Sequence, residues 1–232
     1  MKLHASQYEL TEQGIWQAEK AGDWFKRNKF ISFDRMLVSN NVRAMQTAAY
    51  LDLPNANWYM DYNLRERDGG LFDSLKPSKR DKKYHDEQMF HDSQPFFFQP
   101  LQGESITAVC LRIKIVLDTI ARECDGKNVI ILCHGHVMRV FRIILEKPSL
   151  RETNDLLLGK NANEKVPNCS IIHYTRENPY NREQGLADRF NWVRMIRPAG
   201  GGAPEDDWSL IMRKRYTNDE LLEEAKFNRY GK

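Results

Sequence analysis

Five consecutive apolar residues, Val129-Ile130-Ile131-Leu132-Cys133, run directly into His134-Gly135-His136 and then into a second apolar stretch from Val137 to Leu145. The first run is rich in branched side chains and suits a strand buried on both faces of a parallel sheet. The second reads as a helix. This order puts His134 at the carboxyl end of a buried strand, where ligands of open α/β sheets bind. It also puts His134 just ahead of a helix N-terminus, whose N–H groups and dipole favour an anion. A lone histidine in such a place is more often a hydrogen-bonded core residue, so the reading depends on what else converges there.

The rest of the chain supplies more strand and helix alternation. Thr11 precedes Ile15, Ala18, Gly22 and Phe25 at helical spacing and is a good N-cap, which predicts a helix over about 11–28. Phe33 to Ser39 reads as a short buried strand, followed by a helix from Val42 to Leu51 that Pro54 ends. Ala56 to Met60 is a candidate second strand. Leu64-Arg65-Glu66-Arg67-Asp68-Gly69-Gly70 is then a loop dense in charge and glycine. The basic run Lys76 to Lys83 and the proline-bounded Phe96-Phe97-Phe98 belong to an irregular excursion with short helical turns. Glu104-Ser105 opens a long helix with the apolar stripe Val109, Ile113, Val116, Leu117 and Ile120, ending near Arg122. Ser170 to Thr175 is a further strand, and Thr217-Asn218-Asp219-Glu220 is a capping-box pattern that starts a terminal helix. The expected fold is α/β with three layers, a mostly parallel central sheet flanked by helices. A domain over 1–197 would carry a C-terminal extension, 198–232.

Composition narrows the function. With 35 Lys and Arg against 32 Asp and Glu, the net charge of +3 permits anionic substrates without marking a nucleic-acid binder. Four cysteines, Cys110, Cys124, Cys133 and Cys169, show no paired spacing and read as reduced, mostly buried thiols. The longest apolar runs are too short to span a bilayer, so a cytoplasmic protein without a membrane partner is expected. The Lys76 to Lys83 run reads as a solvated loop, and Phe96 to Phe98 as core rather than a base-stacking platform.

Two further residues shift the balance at His134. Arg43 lies in the first turn of the helix that follows a buried strand, so its fork can grip phosphate oxygens in two places. Taken alone, it would pass for a surface arginine. Glu66 could donate a proton to a leaving alkoxide if its surroundings kept it protonated, although pairing with Arg65 or Arg67 explains it equally well in isolation. His134-x-His136 has no nearby cysteine or carboxylate spacing to complete a metal site, so no metal and no cofactor is expected.

Read in order, Leu10-Thr11-x-x-Gly14, Ser39 to Ala48 around Arg43, Leu64-Arg65-Glu66, Gly103-Glu104-Ser105 and Cys133-His134-Gly135 resemble the histidine-phosphatase superfamily, also called phosphoglycerate-mutase-like. The resemblance covers roughly 10–174, and Asn168 to Tyr174 fits the small phosphatase-like members. It implies metal-independent chemistry through a phosphohistidine, in which positive groups neutralise the equatorial oxygens. Arg43, His134 and Gly135 would hold the phosphoryl group of a phosphorylated small molecule. Glu66 would be the general acid for the leaving group and the base for water.

The departure from the pattern is at the start. The family's first strand ends in Arg-His-Gly, which carries the nucleophile, and lies mid-sheet beside the strand leading to His134. No Arg-His-Gly occurs in this sequence, and His4 lacks both the preceding strand and the following glycine. Either Met1 is internal to a longer reading frame, which is the favoured expectation, or the chain is a degenerate relative that binds a phospho-ligand or a partner without turnover. Loss of a central strand would bare two sheet edges and favour self-association, so a homo-oligomer is a further expectation. Phosphoglycerate mutase-type transfer ranks behind hydrolysis, since no enclosing lid is visible in the sequence. A basic-loop nucleic-acid binder ranks last.

Overall fold

The computed structural model describes residues 4–29, 32–73, 75, 83–159, 166–201 and 205–230. All of the Lys76 to Lys83 run except Lys83 lies outside the described residues.

The first helix, α1 (Glu12–Arg27), starts where expected, with the Thr11 hydroxyl accepting from the Gly14 N–H. Strand β1 (Arg35–Ser39) leads into α2 (Val42–Tyr50), and β2 (Trp58–Asp61) follows. A single 3-10 turn over Tyr62–Leu64 and another over Gly70–Phe72 bracket the charged loop. The excursion contains α3 (His85–Ser93), and α4 (Ile106–Glu123) is N-capped by Ser105. Strand β3 (Val129–Leu132) feeds α5 (Gly135–Glu146), which starts two residues earlier than its apolar run implied. Helix α6 (Leu150–Leu158), closed by a Ser149/Glu152 capping box, had no counterpart in the sequence reading.

Strands β2, β1 and β3 form one parallel sheet in that order, with Met36 opposite Ile130, Leu37 opposite Ile131 and Val38 opposite Leu132. The period of two sorts these pairs between two cores. Met36 and Ile130 pack on Ala21, Trp24 and Phe25 of α1, while Val38 and Leu132 meet Ala44 and Ala48 of α2. On the opposite face Leu37, Ile131 and Cys133 pack against Val109, Ile113 and Val116 of α4 and Val137, Val140 and Phe141 of α5. These are the three layers. The stripe expected on α4 is the face that is buried, and each large side chain removed from water there contributes about 1.5–3 kcal/mol.

A second sheet is antiparallel: β4 (Ile171–Thr175), β5 (Trp192–Ile196) and β6 (Ser209–Leu210). The sequence reading gave a strand only at β4. Charged side chains disguise β5: Arg194 stacks 4.6 Å over the Trp208 ring, and Arg197, just past the strand, pairs with Asp206 at 2.7 Å. The second sheet joins the first through the core, since Ile171 and Ile196 belong to the cluster around Trp24 and Ile130. Among the described residues β3 and β4 each have one edge without a strand partner. The terminal helix α7 (Asn218–Tyr230) has the expected capping box, with Thr217 and Glu220 exchanging backbone and side-chain bonds. No helix among the described residues is long and apolar enough to cross a membrane.

The cysteines are less buried than expected. Cys124 is buried, while Cys110, Cys133 and Cys169 are intermediate and pack against the hydrophobic clusters without being enclosed by them.

One glycine sets how closely two helices approach. At Gly22 an added Cβ would overlap the carbonyl oxygen of Leu51, which is backbone and cannot swing away. Gly22→Ala is therefore expected to lower the unfolding free energy by about 1–3 kcal/mol, the usual range for overpacking. Urea denaturation checks this, and an unchanged midpoint would mean that α1 and the end of α2 can separate freely.

Candidate functional site

Because β1 and β3 are parallel neighbours, their carboxyl ends lie side by side, and each hands over to a helix at the same level. Ser39, the last residue of β1, is fully buried, and its Oγ lies 2.8 Å from Nε2 of His134. His134 is the N-cap residue of α5 in extended conformation, and its ring, turned towards Ser39, makes no capping bond. Gly135 is the first residue of α5. A Cβ there would meet nothing within 4 Å, so the helix start is open to an approaching group. The first N–H groups of a helix have no intrahelical acceptor and face outward along its axis.

Arg43 is the second residue of α2, whose N-cap is Asn41. Its Nη1 donates to the carbonyl oxygen of Ala5 at 2.7 Å. Ala5 belongs to a 3-10 turn over Ala5–Gln7, in which His4 Nδ1 accepts from the Ser6 N–H. The same N-terminal segment is tied to α2 where the Leu10 N–H donates to Oε1 of Gln46, 2.7 Å away. Arg43 therefore sits at the expected end of the sheet with one face of its fork on backbone.

Glu66 reaches the site from the loop after β2, which pairs with β1 up to Asp61 opposite Ser39. Two groups hold the carboxylate: the Arg67 N–H, 2.8 Å from Oε1, and His136 Nδ1, 3.7 Å from the same oxygen. Burial alone would push this carboxyl up. The nearby His136 imidazole, with His134 and the Arg67 amide, outweighs burial and brings it down to about 2. The sequence reading made Glu66 an acid on condition that its site kept it protonated. At neutral pH it is ionised.

His134 is also brought down, which for an imidazole favours the neutral form. Burial, opposed by Glu66 and reinforced by Arg43 and Arg112, brings its ring down to about 4, so it is a neutral hydrogen-bonding group at pH 7. The fixed positive charge of the site comes from arginines. One of them, Arg139, lies on α5 one turn after His136, feels the Glu66 charge, and has a buried Nε with no hydrogen-bond partner. Burial and the Glu66 charge also push the Cys133 thiol up to about 12, which leaves it un-ionised beside the site.

The loop bearing Glu66 is held by a network that the sequence reading missed. Arg112, on the buried face of α4 and only 6 % exposed, donates to the carbonyl oxygens of Asn63 and Glu66 and forks onto both carboxylate oxygens of Glu104 at 3.1 Å. Glu104 also accepts from Arg65 at 2.7 Å and from the Asp68 N–H. Arg67 donates to the carbonyl oxygens of Glu104 and Phe98. The side chains of Arg65 and Arg67 thus brace the loop through Glu104 and backbone carbonyls, while the Arg67 charge also lies close enough to feel Glu66. The available signal was a charge inside an apolar stripe, since Arg112 falls between Val109 and Ile113.

No group of three or more His, Cys, Asp or Glu side chains among the described residues is placed to hold a metal ion. The site as built can surround a tetrahedral anion with a guanidinium, an imidazole and helix N–H groups, with a carboxylate nearby.

Comparison with known proteins identifies the family. The family model of the Histidine phosphatase superfamily (branch 1) matches residues 4–183. A 2,3-bisphosphoglycerate-dependent phosphoglycerate mutase from Methylorubrum populi is 28% identical over 144 residues, covering 60% of this chain and 68% of the mutase. Among solved structures, a mycobacterial glucosyl-3-phosphoglycerate phosphatase in complex with inorganic phosphate superimposes with a TM-score of 0.56 at 20% identity, over 63% of this chain and 73% of that one. A putative alpha-ribazole-5'-P phosphatase from Escherichia coli gives a TM-score of 0.56 at 14% identity, over 94% of this chain and 91% of that one. At these identities the solved structures support the fold.

Proposed function

The chain belongs to the histidine phosphatase superfamily, branch 1, and from that premise we propose that its site serves metal-independent hydrolysis of phosphomonoesters through a phosphohistidine. The observation that carries this reading is the meeting of His134 and Ser39 at 2.8 Å, with Arg43 beginning the next helix and Glu66 on the adjoining loop. In this reading Arg43, His134 and the Gly135 N–H hold the equatorial oxygens, where charge develops as phosphorus becomes five-coordinate. Glu66 manages the proton of the leaving oxygen. The substrate is a phosphorylated small molecule.

The nucleophile that this mechanism requires, a histidine in an Arg-His-Gly strand, is not among residues 1–232. Residues 1–232 alone are therefore proposed to be inactive or nearly so. The same sequence fact favours one second reading, a non-catalytic protein that binds a phosphorylated ligand. Turnover of an aryl phosphate separates the two. The first reading expects hydrolysis when a strand ending in Arg-His-Gly is joined ahead of Met1, falling by about 10²–10³ in His134→Ala, the usual loss for one oxyanion-binding group. Phosphate-induced stabilisation with no turnover in either form would favour the second. Turnover indifferent to His134→Ala would refute the site assignment.

A further inference from the structure

Strand β2 is the outer strand of the parallel sheet, and its far edge has no strand partner among the described residues. Natural edge strands are commonly guarded by lysine, proline or a bulge. Trp58–Asp61 contains no lysine or proline, keeps an unbroken register with β1, and carries its one charge at its end. Tyr59 lies opposite Leu37 and so shares the α4 face of the sheet, while Met60 lies opposite Val38 on the α2 face. Both are exposed by half or more, and Tyr62 in the following turn is 68% exposed. A second apolar pair lies beside this edge. Helix α4 is on the β2 side of its layer: its Arg112 reaches the carbonyl oxygens of Asn63 and Glu66 just after β2, whereas α5 reaches β4 through Glu146 and Tyr174. At 3.6 residues per turn, Leu111 and Ile115 fall roughly 60–100° beyond Arg112, turned away from Val109 and Ile113. They are 70% and 57% exposed. Arg35 ties the patch together, stacking 4.7 Å over the Tyr59 ring and pairing with Glu123 at the end of α4.

We propose that this face, formed by Tyr59, Met60, Tyr62, Leu111 and Ile115, docks a second copy of the same chain, with β2 pairing antiparallel to its counterpart across a two-fold axis. A closed dimer joins a patch to itself, so the patch must be self-complementary. The strand edge meets this condition. A two-fold axis normal to the sheet sets the edge against its own reverse and keeps each face on its own side, so Tyr59 meets Tyr59 or Asp61 of the second copy, and Met60 meets Met60 or Trp58. The same axis makes the two α4 helices antiparallel. Lys114 and Asp118, one turn apart beside Leu111 and Ile115, give α4 a charge order that its reversed mate complements. At roughly 100 Å² apiece, the five side chains supply about 500 Å² per copy, and strand backbone and charged rim bring this towards the roughly 800 Å² per partner of a standard interface. Contiguous apolar patches of several hundred Å² mark interaction sites on soluble proteins. Glu66 follows Tyr62 by four residues, so the dimer would also hold the start of the loop that carries it.

Sedimentation equilibrium of residues 1–232 is expected to show a reversible monomer–dimer equilibrium, with the dimer prevailing at about 100 µM, well above the µM limit for interfaces of this size. Leu111→Lys combined with Ile115→Lys brings like charges together across the axis and should weaken the dimer about tenfold or more. Met60→Lys should do the same from the strand, where a lysine acts as an edge guard. Thermal unfolding of dilute protein shows whether each variant is folded, and if one is not, the other carries the test. A monomer at that concentration overturns the proposal. So does a dimer that the folded variants leave unchanged, which would place the contact on another surface, such as the bare edges of β3 and β4. A dimer sensitive to the α4 substitutions but indifferent to Met60→Lys would overturn the strand pairing.

Discussion

Replacing Arg112 with alanine is expected to cost about 3–5 kcal/mol of unfolding free energy, the usual penalty for leaving one member of a buried ion pair uncompensated. Glu104 would lose the fork that engages both its oxygens, and the carbonyl oxygens of Asn63 and Glu66 would lose their shared donor. Domain stabilities of about 5–15 kcal/mol make that loss a large fraction of the whole. The functional consequence is separate from the stability one. The Asn63–Asp68 loop would no longer be pinned to α4, so Glu66 would lose its fixed distance from His136. Urea denaturation measures the first effect, and backbone amide exchange in the loop measures the second. A change below about 1 kcal/mol would mean that Arg65 and Arg67 suffice to hold Glu104.

Arg43→Met is expected to weaken binding of inorganic phosphate about 100-fold while leaving the fold unchanged. A hydrogen bond to a charged group contributes about 1.5–3 kcal/mol, and two such bonds from one guanidinium reach that loss even after part is offset by solvent. The fold should survive because Arg43 is only half-buried and, among the described residues, its side chain bonds to the Ala5 carbonyl oxygen on the partly buried N-terminal turn. Calorimetry reads the dissociation constant, and thermal unfolding reads the fold. Equal affinities in the two proteins would remove Arg43 from the site.

The parallel sheet was legible where its strands pack on both faces, as β1 and β3 do, because such burial writes itself as unbroken apolar runs, whereas β2 leaves Tyr59 and Met60 exposed. Val129 to Leu132 is the clearest case, and Ser39, Arg43 and His134 could be assigned to one end of that sheet from strand and helix order alone. One helix start was less visible: α5 begins at Gly135 and not at Val137, because a first turn is capped from outside and needs no apolar pattern. Strand β5 was hidden by Arg194, whose charge is accommodated on the face of Trp208. That contact joins residues 14 apart and leaves no periodic trace.

The site followed the same division. Which residues meet was readable from order and spacing, whereas their charge states were not. Glu66 was conditionally an acid, and only its three-dimensional neighbours, His136 above all, show it ionised. His136 itself looked like half of an unfinished metal pair because its partner carboxylate lies 70 residues earlier in the chain. Arg112 was obscured in the same way, by apolar neighbours on α4 whose pattern explained the helix without it.

A crystal structure of residues 1–232 grown with inorganic phosphate tests the central claim most directly. The account predicts a phosphate ion at the carboxyl ends of β1 and β3, within about 3 Å of the Arg43 guanidinium and the His134 ring. It also predicts that Arg43 turns part of its fork from the Ala5 carbonyl oxygen to the ion. Phosphate bound elsewhere on the surface, with Arg43 still on Ala5 and His134 facing only Ser39, would contradict it.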